Sequence, residues 1–306
     1  MVTFTPSFNP IADFEVMWKY IFMQHAFEAG TLIAFIAGVV GYFVVLRRSA
    51  FTAHAFSEIG FAGAAAAILV NVQPIIGLLA GSILGGLGIA ALGRRASTRD
   101  TAIGIVLAFS LGLGLLFISL YSGYITEAYS ILFGEILGIS TVAVYQTLGA
   151  CIFVLAVVAF LYRPLLFSSL DEDVAEAKGL PMAFIGTAFM LIVAVAVSFA
   201  VLETGVLLIF SLMVTPAATA QYIARRPMWA IIVSVLIALA ATWSGLFISF
   251  YTPYPVSFFI TAEVFGLYII VRIVSRALKW RIRSKHISTL PANAATVRTL
   301  PWKLLH

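Results

Sequence analysis

The chain has 306 residues, of which 62% are hydrophobic and 10% charged, with a formal net charge of +5 and a mean hydropathy of +1.08. A soluble domain of this size carries about a quarter of its residues charged, so the composition excludes one and leaves an integral membrane protein. The single cysteine, Cys151, sits in an apolar run and excludes both a disulfide framework and a cysteine-based metal centre.

The N-terminus, MVTFTPSFNPIADFEV, shows neither a basic n-region nor a small-residue cleavage site ahead of the first apolar run, so no removable signal peptide is expected. Residues 1–25 read as an extracytoplasmic or interfacial segment, because Trp18, Tyr20 and Phe22 beside Lys19 suit the headgroup level. Runs apolar enough to cross ~30 Å of hydrocarbon then follow at 26–46, 53–71, 74–93, 102–121, 141–162, 183–202, 204–224, 229–250 and 256–275. An open sheet edge cannot be satisfied in lipid, so the expected fold is an all-α polytopic bundle of eight or nine transmembrane helices over 26–275. The outer segment 123–140, which contains Glu135, is too short to cross and reads as a re-entrant or interfacial half-helix. Residues 276–306 form a basic tail near anionic lipid rather than a nucleic-acid arm. Gly77, Gly81 and Gly85 recur every four positions, the spacing that lets helix backbones approach in lipid.

Cytoplasmic loops collect Lys and Arg. With Arg47 and Arg48 inside, nine alternating spans bring Arg94, Arg95, Arg99, Arg163, Lys178, Arg225, Arg226 and the tail from Arg272 to Lys303 to the same side. Lys19 alone of the 18 basic residues then falls outside. The expected N-terminus is outside and the C-terminus cytoplasmic.

An ionisable group in a span costs roughly 2.5–3.5 kcal/mol on insertion scales and marks function by default. The candidates are Glu28, His54, Glu58, Glu203 and Glu263. His54 and Glu58 lie at i and i+4 on one helix face. An imidazole nitrogen and a carboxylate oxygen at that spacing suit Zn²⁺, Fe²⁺ or Mn²⁺, and the bland alternative is a private hydrogen-bonded pair that neutralises itself. Glu203 stands at the outer junction of two spans, where it could simply be wet. Glu263 sits two turns into the last span and requires a partner or a cavity, while His25 reads as interfacial.

The loop 168–182, SSLDEDVAEAKGLPM, has the chemistry of a short amphipathic helix. Ser169 or Asp171 can cap it, the acids Asp171, Glu172 and Asp173 complement its dipole, and Lys178, Gly179 and Pro181 stop it. Leu170, Val174 and Ala177 make one apolar stripe. An acidic face is repelled by the anionic inner leaflet, so a cytoplasmic protein partner is the better reading.

The blocks FMQHAF at 22–27, YFVVLRR at 42–48, DTAIGIV at 100–106, ILFGEILGIS at 131–140, LDEDVAEAKGLP at 170–181 and VTPAATA at 214–220 resemble, in order, the permease subunit of the ABC-3 metal-ion importers. The resemblance spans residues 20–275. It implies a cell-membrane subunit that pairs with a second permease, identical or paralogous. It implies further that a divalent zinc, manganese or iron ion is received from an extracytoplasmic binding protein and moved inward when a cytoplasmic ATPase closes on the coupling loop. Leu170, Asp171, Val174, Ala175, Ala177, Gly179, Leu180 and Pro181 are then the coupling residues. No GxxxxGK[ST] loop is present, so the chain is expected not to be an enzyme, to hold no permanent cofactor, and to rely on ATP hydrolysed by the partner.

After the Arg pair the family carries GDALSHA. An ungapped alignment from Arg47 and Arg48 sets the family's Asp on His54 and its His on Glu58, so the two ligand types are kept and exchanged. Glu203 and Glu263 have no counterpart in these blocks and rest on burial alone. Pro216 in VTPAATA frees a carbonyl and bends its helix beside the pathway. Two other classes compete. A proton-coupled secondary metal transporter would use Glu58, Glu203 and Glu263 as a relay, and a membrane-embedded enzyme would use His54 as base.

Overall fold

A computed structural model describes residues 10–91, 96–121, 134 and 136–288. Among these the regular structure is entirely helical. The helices are α1 (Pro10–Trp18), α2 (Ile21–Leu46), α3 (Ala50–Leu69), α4 (Pro74–Ala91), α5 (Ala96–Leu120), α6 (Thr141–Leu170), α7 (Glu172–Ala177), α8 (Met182–Thr204), α9 (Val206–Ile223), α10 (Pro227–Tyr251) and α11 (Val256–Ser288). Among the described residues 8 helices are long and apolar enough to cross a membrane, and α4 is a shorter apolar helix. These correspond one to one with the nine expected runs, and the chain is a multi-pass membrane protein.

The ends differ from the apolar boundaries. α2 starts at Ile21 rather than 26, α6 runs on to Leu170 rather than 162, and α11 continues to Ser288 rather than 275. Once nucleated, a helix gains a hydrogen bond for each residue added, so it ends at a stop signal rather than where hydropathy falls. For α6 that signal is Asp171, whose backbone is extended at φ −151°, ψ 100°. Starts follow local chemistry too: the Ser140 side chain accepts from the Ala143 N–H at 3.2 Å, and Pro227 occupies the first turn of α10. Most of the expected half-helix at 123–140, including Glu135, lies outside the described residues, as do 1–9 and the tail from 289.

α2 runs through the middle of the bundle, packed against α6, α8, α9 and α10, while α3 packs against α4, α5, α8 and α9. In α3, 72% of the apolar window is buried, against 17% in α5 and in α11, so α3 is interior and those two are peripheral. Small residues make this possible. A Cβ on Gly63 would stand 2.2 Å from the Gly77 carbonyl oxygen, and one on Gly77 would stand 2.1 Å from that of Gly63. Lipid supplies no hydrophobic pull between helices, so such contact must hold them together. Two hydroxyls then fasten α4 on both sides: Ser82 Oγ donates to the Phe56 carbonyl at 3.1 Å, and Ser198 Oγ to the Leu78 carbonyl at 3.3 Å. At the chain's start, Phe14 of α1 stacks on Trp18 at 5.5 Å and meets Phe27 of α2 edge-on at 5.6 Å.

Candidate functional site

α3 carries His54 and Glu58 one turn apart, flanked by Ala53, Ala55, Phe56 and Ser57, all of them buried. Its alanines and glycines let neighbouring helices pack closely against it, which buries Glu58 and partly buries His54. Glu58 is 6% exposed and His54 is half-buried. The His54 ring lies 4.9 Å from the Phe210 ring of α9, tilted by 50°. Neither ionisable group is satisfied by protein: His54 Nδ1 and Glu58 Oε2 are both buried without a hydrogen-bond partner. No hydrogen bond joins imidazole to carboxylate among the described residues. A buried polar atom left unpaired costs about 1–3 kcal/mol, so two of them one turn apart on α3 call for an explanation.

The other acidic residues lie apart from this pair. Glu203, at the end of α8, is 4% exposed and accepts from Thr147 Oγ1 of α6 at 3.4 Å. Glu263 of α11 accepts from Ser244 Oγ of α10. No polar contact links Glu58, Glu203 and Glu263, and no group of three or more His, Cys, Asp or Glu side chains that could hold a metal ion occurs among the described residues. His25 ties α2 to α6: its Nδ1–H donates to the Ile139 carbonyl at 3.0 Å and its Nε2 accepts from Thr141 Oγ1 at 3.3 Å.

Pro216 is buried inside α9, which remains helical from Val206 to Ile223. A carbonyl of the preceding turn, that of Met213, faces Gly41 of α2, where a Cβ would come within 2.0 Å of it.

The 168–182 loop forms the expected short helix with both expected caps. The Asp171 carboxylate accepts from the Val174 N–H at 3.0 Å. At the other end the Gly179 N–H donates to the Glu176 carbonyl at 2.9 Å and the Leu180 N–H to that of Ala175 at 3.2 Å, with Gly179 at φ +80°. This is a Schellman stop, which needs the left-handed residue that glycine supplies. Ser169 does not cap α7; its hydroxyl turns back to the Leu165 carbonyl at 2.5 Å. The stripe differs as well. Leu170 closes α6 and is separated from α7 by the extended Asp171, so Leu170, Val174 and Ala177 do not share one helix. Leu170 and Val174 are nevertheless 63% and 42% exposed, while Ala175 is fully buried.

Arg47 links the two regions, whereas in the sequence it served only to set orientation and to anchor the family alignment. From the end of α2, its Nη1 donates to Ser168 Oγ at 3.0 Å and Ser169 Oγ at 3.4 Å, and its guanidinium lies 5.0 Å from the Phe189 ring centroid of α8. Three residues later α3 begins.

The ABC 3 transport family model matches residues 19–275. The chain belongs to that family. Within it, the manganese transport system membrane protein MntC of Halalkalibacterium halodurans is 29% identical over 237 residues, 77% of this chain and 81% of that protein. The manganese import system permease protein ScaB of Streptococcus gordonii is 30% identical over 230 residues, 75% of this chain and 82% of that protein. Among solved structures, PsaBC from Streptococcus pneumoniae in complex with Fab superposes with a TM-score of 0.80 at 27% identity, covering 89% of this chain and 99% of that one. The family match takes in every described helix except α1 and the end of α11, so the buried pair on α3, the Arg47 contacts and the capped α7 all lie within it.

Proposed function

We propose that the chain is the membrane permease subunit of an importer that carries a divalent transition metal, manganese, into the cytoplasm, driven by a separate ATPase that docks on the 168–182 loop. The observation that carries this reading is the pair of unpartnered donors, His54 Nδ1 and Glu58 Oε2, on the interior helix of an ABC 3 family chain. One nitrogen and one oxygen suit Mn²⁺, as do the manganese systems named among the relatives. Two donors do not fill a coordination shell, so a second permease copy meeting this one near α3 would supply the rest. Weak binding suits a cargo, since an ion held too well is not released. An extracytoplasmic metal-binding protein would deliver the ion, and the N-terminus would lie outside with the C-terminus inside, as the placement of Arg47, Arg225 and Arg272 supports. Glu203 and Glu263 are assigned to packing through Thr147 and Ser244 rather than to the ion.

The relay alternative is not favoured, because the three glutamates have separate partners or none. Vesicles holding the permease and its ATPase test the class. Manganese uptake that requires internal-face ATP and ignores an imposed pH gradient is expected; uptake driven by the gradient without ATPase overturns the proposal.

A further inference from the structure

A cavity with a charged lining lies away from the α3 pair. It measures about 490 Å³ between α1, α2, α6 and α10, and Phe14, Trp18, Phe27, Tyr145 and Trp243 line it together with Glu28. The aromatic wall is built. Phe14 stacks on Trp18, Phe27 meets Trp243 edge-on at 5.9 Å, and the Trp243 indole N–H donates to Thr31 Oγ1 at 2.9 Å, which fixes that ring. Glu28 is exposed, lines the cavity, and makes no ion pair or hydrogen bond with the described residues. One carboxylate ringed by aromatic faces selects an organic cation: the rings attract it through their quadrupoles and the carboxylate neutralises it. A metal ion does not fit, because no second acid or histidine lines the cavity.

We propose that this cavity holds the ammonium headgroup of a zwitterionic aminophospholipid, with Glu28 as its counter-ion. Three features favour a lipid. The cavity sits beside α1, whose Phe14 and Trp18, followed by Lys19 and Tyr20, have the aromatic and basic composition of the headgroup level, and Lys19 is suited to the phosphate. Below Tyr145, residues Leu148 and Ile152 continue the same face of α6 and are 38% and 61% exposed, an apolar track for an acyl chain. Finally, the aromatic side chains are partly open, with Trp18 43% and Trp243 48% exposed, so a headgroup can enter sideways from the bilayer. The lipid would join α1 to the α2, α6 and α10 group. This assignment needs the membrane placement of the chain but not the metal route.

The test uses the full chain, delipidated in detergent and offered phosphatidylethanolamine, N-acetyl-phosphatidylethanolamine or phosphatidylglycerol of identical chains, with retained lipid counted by native mass spectrometry. Phosphatidylethanolamine is expected to be retained about tenfold over both others, the size of one charge-assisted contact. Glu28→Gln, at an exposed position, is expected to keep the lipid-free melting temperature and lose that preference. Trp18→Leu, which keeps apolar bulk, is expected to weaken it. Equal retention of the three lipids, or unchanged preference in Glu28→Gln, overturns the assignment. So does a Glu28→Gln chain that keeps its lipid but no longer binds the extracytoplasmic partner, since the occupant would then be a lysine of that protein. None of these readouts involves metal or ATP, so their failure leaves the transport proposal standing.

Discussion

Arg47 Nη1 donates to Ser168 Oγ at 3.0 Å, joining the end of α2 to the residue three positions before Asp171 caps α7. Because α3 begins at Ala50, the same arginine stands between the loop proposed to meet the ATPase and the helix that carries His54 and Glu58. Its guanidinium over Phe189 adds a third attachment, to α8. A fork of rigid N–H donors over an aromatic face is a contact lysine does not reproduce. Arg47→Gln is therefore expected to leave ATP hydrolysis by the assembled complex near the parental rate while metal moved per ATP falls about tenfold, within the span of ordinary coupling energies. Arg47→Lys should fall between. Paired measurement of phosphate release and uptake in one vesicle preparation checks this; equal loss of both would mean that Arg47 merely holds the fold.

The α3–α4 contact predicts a stability difference between two glycines of one helix. A methyl on Gly77 would meet the Gly63 carbonyl oxygen at 2.1 Å, whereas Gly88 has nothing within 4 Å. Gly77→Ala should cost about 1–3 kcal/mol through overpacking and lower the melting temperature in detergent. Gly88→Ala should leave it unchanged or slightly raised, since alanine is the better helix former.

The caps of α7 predict how it presents Val174. Removing the Asp171 cap should cost about 1 kcal/mol, and placing alanine at Gly179, where φ is +80°, about 1–2 kcal/mol. Both Asp171→Ala and Gly179→Ala are expected to weaken association with the ATPase about fivefold or more without altering the melting temperature of the membrane bundle. Titration of labelled ATPase against the permease in nanodiscs reads this directly.

For Glu203 the hydrogen bond from Thr147 at 3.4 Å predicts a packing role. Thr147→Val should destabilise the chain by about 1–2 kcal/mol, and Glu203→Gln, which keeps an acceptor, should transport manganese close to the parental rate. Loss of transport in Glu203→Gln with normal stability would move Glu203 onto the ion route.

Much of this was legible in the sequence. The nine apolar runs mark nine helices because lipid admits no other backbone for them, and Asp171 and Gly179 announced the ends of α7 because capping is local chemistry. Helix ends were less legible, since α6 runs beyond its apolar stretch until Asp171 stops it and α11 runs beyond its own as far as Ser288. The stripe through Leu170 failed for the same reason: spacing cannot reveal that Asp171 is extended and divides the segment in two. At the site, the i, i+4 spacing put His54 and Glu58 on one face, but their lack of protein partners depends on α4, α8 and α9 closing around α3, a long-range fact. The Phe210 ring over His54, the Thr147 and Ser244 donors and the Arg47 strut likewise join residues far apart in the chain. Only Arg47 left a trace, as a paired arginine at a helix end.

Manganese uptake by vesicles containing the permease and its ATPase, compared among the parent, His54→Ala and Glu58→Gln, tests the central claim most directly. Loss of uptake by at least about tenfold in each variant, the cost of one charge-assisted ligand, with the ATPase still bound, is the predicted result. Parental uptake rates in both variants would contradict the assignment of this pair to the ion's path.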